Sequence, residues 1–180
     1  MAMETIFEAT TKRQRIKQDQ KVWKFIRDTN SISLGDLNKP AVIDGIRQYT
    51  YGQMFHEWDR YAAVFSALGM TEQNHARVGI LGSPSAQVIF AFYGLNMVGA
   101  EVSVVPSSFA LMLNRVLVTI SEEKLTDFII TDDFAPASLV GTLLARREEL
   151  GLRNVIVLHV PVAGESSHPM LTMGQEIKYS

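Results

Sequence analysis

The amino-acid sequence predicts an α/β fold: a mostly parallel sheet with helices on both faces, preceded by an N-terminal helix and a β-hairpin. From residue 77 onward, short apolar runs alternate with segments of helical character. Parallel strands need a crossover connection, usually a helix, and these crossovers are right-handed. One connecting segment, 84–98, is apolar on nearly every side. Such a helix is buried between other elements, which places it inside a layered fold.

The composition is that of a soluble globular protein. Its 180 residues suffice for one domain with a core of its own, and 47% of them are hydrophobic and 20% charged. A formal net charge of -2 gives no overall field that would draw nucleic acid or a membrane. The absence of cysteine excludes disulfides, thiolate zinc sites and a cysteine nucleophile, and it agrees with a cytoplasmic location. We expect no secretory signal and no membrane span, because the most apolar segment, 88–100, is too short to cross a bilayer.

The first predicted element is a helix over residues 4–29. Its apolar stripe is irregular, and basic residues outnumber acidic ones. Two interpretations are open: a surface for a membrane or nucleic acid, and a solvated helix face packed on a larger body. The second is favoured, because long basic side chains cover apolar surface while their charged ends stay in water.

A hairpin and a long helix come next. The dipeptide Asp44-Gly45 predicts a tight turn between a strand in "NKPAVID" and a strand in "RQYTY". Thr50 and Gln53 have the spacing of a capping box, so a helix should begin there and end at Gly69. Its apolar face follows the spacing of an amphipathic helix: Met54, Phe55, Trp58, Tyr61, Ala62, Phe65 and Leu68.

Beyond the long helix, strands and helices alternate. The predicted strands are 77–81, 101–105, 127–131 and 154–160, and the predicted helices are 84–98, 108–121 and 135–150, the last ending at Gly151. We divide the chain into an N-terminal helical segment, 1–37, an α/β subdomain, 38–160, and a loop-like tail, 161–180, that leads toward a downstream part.

A search for a phosphate site finds one weak candidate, Gly79-Ile80-Leu81-Gly82-Ser83. It matches neither G-x-G-x-x-G nor G-x-x-x-x-G-K-[ST]. Pro84 suits the first turn of the following helix, whose N-terminal N–H groups are able to hold an anion. Every parallel-sheet protein has several such helix ends, so scaffold is the favoured interpretation and a phosphate site the alternative.

Other candidate groups give no clear site. The four histidines, His56, His75, His159 and His168, share no metal-ligand spacing and are interpreted as surface or structural residues. No serine lies in G-x-S-x-G. Thr131-Asp132-Asp133 closes a strand at the edge where α/β folds place ligands, but an aspartate cap for a helix starting near Ala135 is favoured. The residues alone therefore assign no catalytic, cofactor-binding or metal-binding residue.

Several strings together resemble a known family. "KPAVID…QYTYGQMFHEWDRYAAVFSALGM", "RVGILGSPSAQVIFAFYGLNMVGAEVSVVP" and "LNRVLVTISEEKLTDFIITDD" are similar, in order and spacing, to the opening of AMP-forming acyl-CoA synthetases and related adenylating enzymes. The likeness covers roughly residues 38 to 160. The chain departs from the family pattern at Pro84-Ser85-Ala86-Gln87, where the family usually reads Asn-Ser-Pro-Glu, and at His75-Ala76, where it commonly reads Gly-Asp.

The resemblance implies a two-step ligase that uses ATP, Mg²⁺ and coenzyme A. A carboxylic acid substrate attacks ATP to give an acyl-adenylate and pyrophosphate, and the coenzyme A thiol then displaces AMP. The family's Ser/Thr/Gly-rich loop ending in Pro-Lys is not found here, "LVGTLLARR" and "VAGESSHP" being the nearest strings. We therefore expect the N-terminal part of such an enzyme, inactive by itself and without bound cofactors.

Two other interpretations stay open at this point. One is a stand-alone doubly wound ligand-binding module, and the other is a non-catalytic interaction protein or truncated product. Under the ligase interpretation, apolar surface left exposed on the fragment would drive self-association. The acyl substrate is not specified by these residues.

Overall fold

A computed structural model describes residues 21–30, 34–134, 136–161 and 171–173 of the chain. In chain order the helices and strands are α1 (Val22–Asn30), α2 (Leu34–Leu37), β1 (Pro40–Asp44), β2 (Arg47–Thr50), α3 (Tyr51–Ala67), β3 (Arg77–Leu81), α4 (Ala86–Met97), β4 (Glu101–Val105), α5 (Leu113–Glu122), β5 (Asp127–Thr131), α6 (Ala137–Ala145), β6 (Asn154–Leu158) and β7 (Leu171–Met173). Short 3₁₀ helices precede β3 (Glu72–Asn74) and α5 (Ser107–Leu111).

The hairpin and the start of α3 form as predicted. β1 and β2 pair antiparallel around Gly45, whose φ of +59° is easily adopted only by glycine. The Thr50 hydroxyl accepts the backbone N–H of Gln53, and the Gln53 side chain accepts the N–H of Thr50, which completes the capping box. The local sequence thus sets both the turn and the first residue of the helix.

The main sheet has the strand order β4-β3-β5-β6-β7. The first four strands are parallel, and β7 pairs antiparallel with β6 at the far edge. The predicted fold class, a mostly parallel sheet preceded by a hairpin, is confirmed. β7 is an addition, because the sequence predicted no strand after residue 160; three residues are too few to show a strand period.

Helices cover both faces of the sheet. α3 and α4 lie on one face, and Gly94 allows their backbones to approach closely, since an added Cβ there would lie 2.7 Å from Tyr61 Cβ. Burial on this face raises the pKa of the Tyr61 phenol, with Glu57 a smaller cause. α5 and α6 cover the other face. β5 is buried along its whole length, because alternate side chains enter the two cores.

The described part of the predicted N-terminal helix is α1, and residues 4–20 lie outside the described residues. Arg27 fixes α1 to α3: its guanidinium is 3.0 Å from the Asp59 carboxylate, donates to the Phe55 carbonyl at 3.2 Å and lies over the rings of Trp23 and Phe55. Arg27, one of the basic residues of the predicted helix, therefore holds α1 against the rest of the domain.

Three predicted helix boundaries shift. The helix predicted over 84–98 begins at Ala86, because Ser85 caps it, and Pro84 precedes the cap instead of lying in the first turn. The segment 108–121 is a 3₁₀ turn and then α5, separated by the non-helical Met112. The helix expected to reach residue 150 ends at Ala145, because turns then carry Leu150 and Leu152 onto the α5 and α6 side of the core.

Candidate functional site at the carboxyl edge of the sheet

The sheet topology points to one place for a ligand. α4 connects β3 to β4 on one face, whereas α5 and α6 connect the next strands on the opposite face. The direction of strand succession therefore reverses between β3 and β5, which are neighbours in the sheet. In open α/β sheets, ligands bind outside the carboxyl ends of the strands at such a switch point. We call the side of the sheet where the parallel strands end the carboxyl edge, and the opposite side the amino edge.

At the switch point the segments that leave β3 and β5 are bonded to each other. Ser83 Oγ donates to an Asp133 carboxylate oxygen at 2.5 Å, and the Ser83 N–H donates to Thr131 Oγ1 at 3.3 Å. The predicted helix cap by Asp132 or Asp133 is wrong: Pro136 precedes α6, and no side chain caps it. Both aspartates instead bond to the neighbouring strand ends, a pairing that local sequence patterns do not show.

Asp132 holds the segment that leaves β6. One of its carboxylate oxygens is 2.5 Å from His159 Nδ1, and the other accepts the Val160 N–H at 2.9 Å. Arg47, from the hairpin, donates to the Pro161 carbonyl at 2.5 Å. The segment that follows β6 is thus held by Asp132, at the end of β5, and by Arg47, in the hairpin.

The N-terminus of α4 is already occupied by acceptors of the protein. The Asp44 carboxylate accepts the Ala86 N–H at 2.9 Å, and Ser85 Oγ accepts the Val88 N–H at 3.4 Å. A carboxylate at a helix N-terminus is favoured by the helix dipole and by free N–H groups. An external phosphate would have to displace Asp44, so the geometry favours the scaffold interpretation of this helix end. The sequence assigned Asp44 only to a turn.

Gly79 and Gly82 are required by packing. A Cβ on Gly79 would lie 2.6 Å from Leu125 Cδ1, and one on Gly82 would lie 2.6 Å from Thr131 Cγ2. Both distances are far shorter than van der Waals contact. The glycines that suggested a phosphate loop therefore allow neighbouring side chains to approach β3.

The remaining histidines are dispersed. His56 is exposed on α3, His75 ends a 3₁₀ helix at φ +49°, and His168 lies outside the described residues. Within the described ranges, no three His, Asp or Glu side chains converge in a way that would ligate a metal ion. Among the same residues, every helix is too short or too polar to cross a bilayer. The groups at the carboxyl edge are mainly engaged with each other and hold the strand ends together.

Comparison with known proteins connects this fold to enzymes. The family model of AMP-binding enzymes matches residues 34–165, well over half of the chain. The comparison with curated proteins gave no match.

Solved structures share the fold at low sequence identity. The anthranilate CoA ligase AuaEII in complex with anthranoyl-AMP is 21% identical, with a TM-score of 0.57 over 67% of this chain and 22% of its own. ATP-bound MatB from Rhodopseudomonas palustris is 16% identical, with a TM-score of 0.63 over 77% of this chain and 25% of its own. The inhibitor-bound N-terminal domain of FACL13 from Mycobacterium tuberculosis is 19% identical, with a TM-score of 0.60 over 85% and 44%. The chain spans less than half the length of each of these structures.

Proposed function

The chain belongs to the AMP-binding enzyme family, and on that premise we propose that it is the N-terminal part of an ATP-dependent carboxylate–CoA ligase. The observation that carries the proposal is the family match over residues 34–165, which includes the whole parallel sheet and the hairpin. The fold shared with CoA ligases agrees with it.

The proposed reaction has two steps. A carboxylate oxygen of the substrate attacks the α-phosphorus of ATP. The bond between that phosphorus and the oxygen bridging to the β-phosphorus breaks, and an acyl-adenylate and pyrophosphate form. The sulfur of coenzyme A then attacks the acyl carbon, AMP leaves, and the thiol proton is released. Mg²⁺ would offset the charge of the phosphates when it is bound.

The residues of this chain have a structural role in the proposal. The α4 N-terminus is capped by Asp44, and the strand ends at the switch point are bonded through Ser83, Asp132 and Asp133. Because these groups are engaged within the chain, we assign ATP, Mg²⁺ and coenzyme A to sites completed by another part of the enzyme. We place the enzyme in the cytoplasm, where its nucleotide and thiol substrates are found.

Pyrophosphate exchange tests the proposal. A longer protein that includes the coding sequence beyond residue 180 should exchange labelled pyrophosphate into ATP with at least one acid from a panel of aliphatic and aromatic carboxylic acids. The 180-residue chain alone should give no exchange and no calorimetric binding of ATP, AMP or coenzyme A.

Three results would contradict the proposal. Exchange by the 180-residue chain alone would mean that the active site lies within it. Failure of the longer, folded protein with every acid in the panel would remove the ligase assignment. Tight binding of one nucleotide by the short chain would favour a stand-alone binding module instead.

A further inference from the structure

Large apolar side chains are exposed where the chain leaves β4. Leu111 is 85% exposed and Met112 51%, and Leu113 follows them. We call these three residues the apolar rim. They lie at the end of the 3₁₀ turn and the start of α5, after β4, which in the described residues pairs only with β3. Three adjacent exposed apolar residues beside an edge strand are an unusual surface for a soluble domain.

The rim continues into a cleft. A cavity of about 240 Å³ opens between the 3₁₀ turn and the start of α6, lined by Leu111 and Leu113 on one side and by Pro136 and Leu139 on the other. All residues that line it are uncharged. Most of the lining is apolar, and Ser138 and Thr142 add hydroxyl groups. A concave, mostly apolar surface without charged side chains fits apolar protein side chains.

Resting on the proposed function, we infer that the apolar rim and its cleft are the surface on which the remaining part of the ligase packs. The chain spans only 22–44% of the length of the solved structures that share its fold. More than half of each of those proteins therefore lies outside the part that this chain matches. Contacts inside one enzyme are long-lived, and interfaces of that kind have apolar centres. A second copy of this chain is the competing occupant.

Site-specific thiol labelling tests the inference, because the 180-residue chain has no cysteine. Leu111→Cys places one thiol in the rim, and Glu122→Cys, at the opposite end of α5, is the matched exposed control. Labelling of each site by a maleimide is followed by mass spectrometry in the 180-residue chain, diluted until it elutes as a monomer, and in the longer protein. We expect the Leu111→Cys rate to fall about tenfold or more in the longer protein and the Glu122→Cys rate to change less than about twofold.

The outcomes separate the possible occupants. Equal Leu111→Cys rates in the two proteins would overturn the inference. Protection in a dimer of the longer protein that is lost when the dimer is diluted to monomers would assign the rim to a second copy and also overturn it. Met112→Cys repeats the measurement at a second rim position if Leu111→Cys alters folding.

Pyrophosphate exchange on the same longer protein keeps the two proposals distinct. Exchange with an unprotected rim contradicts only the interface, and a protected rim without exchange contradicts only the ligase.

Discussion

The two edges of the parallel sheet are built differently. At the amino edge, the fully buried Asp127 carboxylate accepts hydrogen bonds from Arg153 at 2.6 Å, Asn154 at 2.6 Å and Thr126 at 2.7 Å. At the carboxyl edge, the polar pairs are half-exposed or exposed, and apolar side chains such as Leu111 face water. The amino edge therefore has a buried carboxylate at its centre, whereas the carboxylates of the carboxyl edge are in contact with water.

The largest expected effect tests this difference with two aspartates at the two ends of β5. Asp127→Ala removes a fully buried carboxylate that accepts three hydrogen bonds and should lower the free energy of unfolding by about 3 kcal/mol. Asp132→Ala, at the half-exposed end, should lower it by less than about 1 kcal/mol. Urea unfolding of the two variants gives the comparison. Equal losses would mean that the two carboxylates contribute equally to the free energy of unfolding, and the difference between the edges would be contradicted.

A second test asks whether Gly82, at the carboxyl edge, serves packing. Gly82→Ala places a Cβ 2.6 Å from Thr131 and should lower the free energy of unfolding by about 2 kcal/mol. Gly141→Ala is the matched control: it is in α6 with nothing within 4 Å of an added Cβ, so it should be neutral or stabilising by about 0.5–1 kcal/mol. Thermal unfolding measures both. A Gly82 variant as stable as the control would reopen the interpretation of this turn as a ligand loop.

The third test concerns the carboxylate at the α4 N-terminus. Asp44→Ala removes the acceptor for the Ala86 N–H and should lower the free energy of unfolding by about 1 kcal/mol. Asp44→Asn keeps a side-chain acceptor and should lose less, with the remaining difference reduced at high salt because it arises from charge. No loss in either variant would show that Asp44 does not hold the helix end in solution.

The smallest stability change is expected in the apolar rim. Leu111→Ser should alter the free energy of unfolding by less than about 0.5 kcal/mol, because the side chain is already in water. We propose that the isolated chain self-associates through this surface, so Leu111→Ser should shift its elution in size-exclusion chromatography toward the monomer, whereas Glu122→Ser should not. A wild-type chain that elutes as a monomer at all concentrations would contradict this.

Most elements of the fold could be predicted because their signals are local. The Thr50–Gln53 capping box, the Asp44-Gly45 turn and the apolar strands at 77–81 and 127–131 all lie where the sequence placed them. Boundaries were less certain where no cap residue marks them, as at α5 and α6. β7 was missed because its pairing with β6 is a tertiary contact of a very short segment.

The candidate site was less accessible to sequence reasoning. Thr131-Asp132-Asp133 was placed correctly at a strand end, but its partners, Ser83 and His159, are 50 and 27 residues away from Asp133 and Asp132. No periodicity or motif links residues at such separations. Only the strand order decides that the ends of β3, β5 and β6 are neighbours.

The sequence by itself determined the types of the elements, their order and the family, because apolar periodicity, caps and turns act within a few residues along the chain. The tertiary structure decided which polar groups are satisfied and by which partners. Whether the α4 N-terminus holds a phosphate or Asp44, and whether Gly82 serves a ligand or Thr131, depends on which distant segments the sheet brings within 3 Å. Hydrogen bonds and steric contacts act only over such short distances, and it is the fold that brings these distant segments so close together.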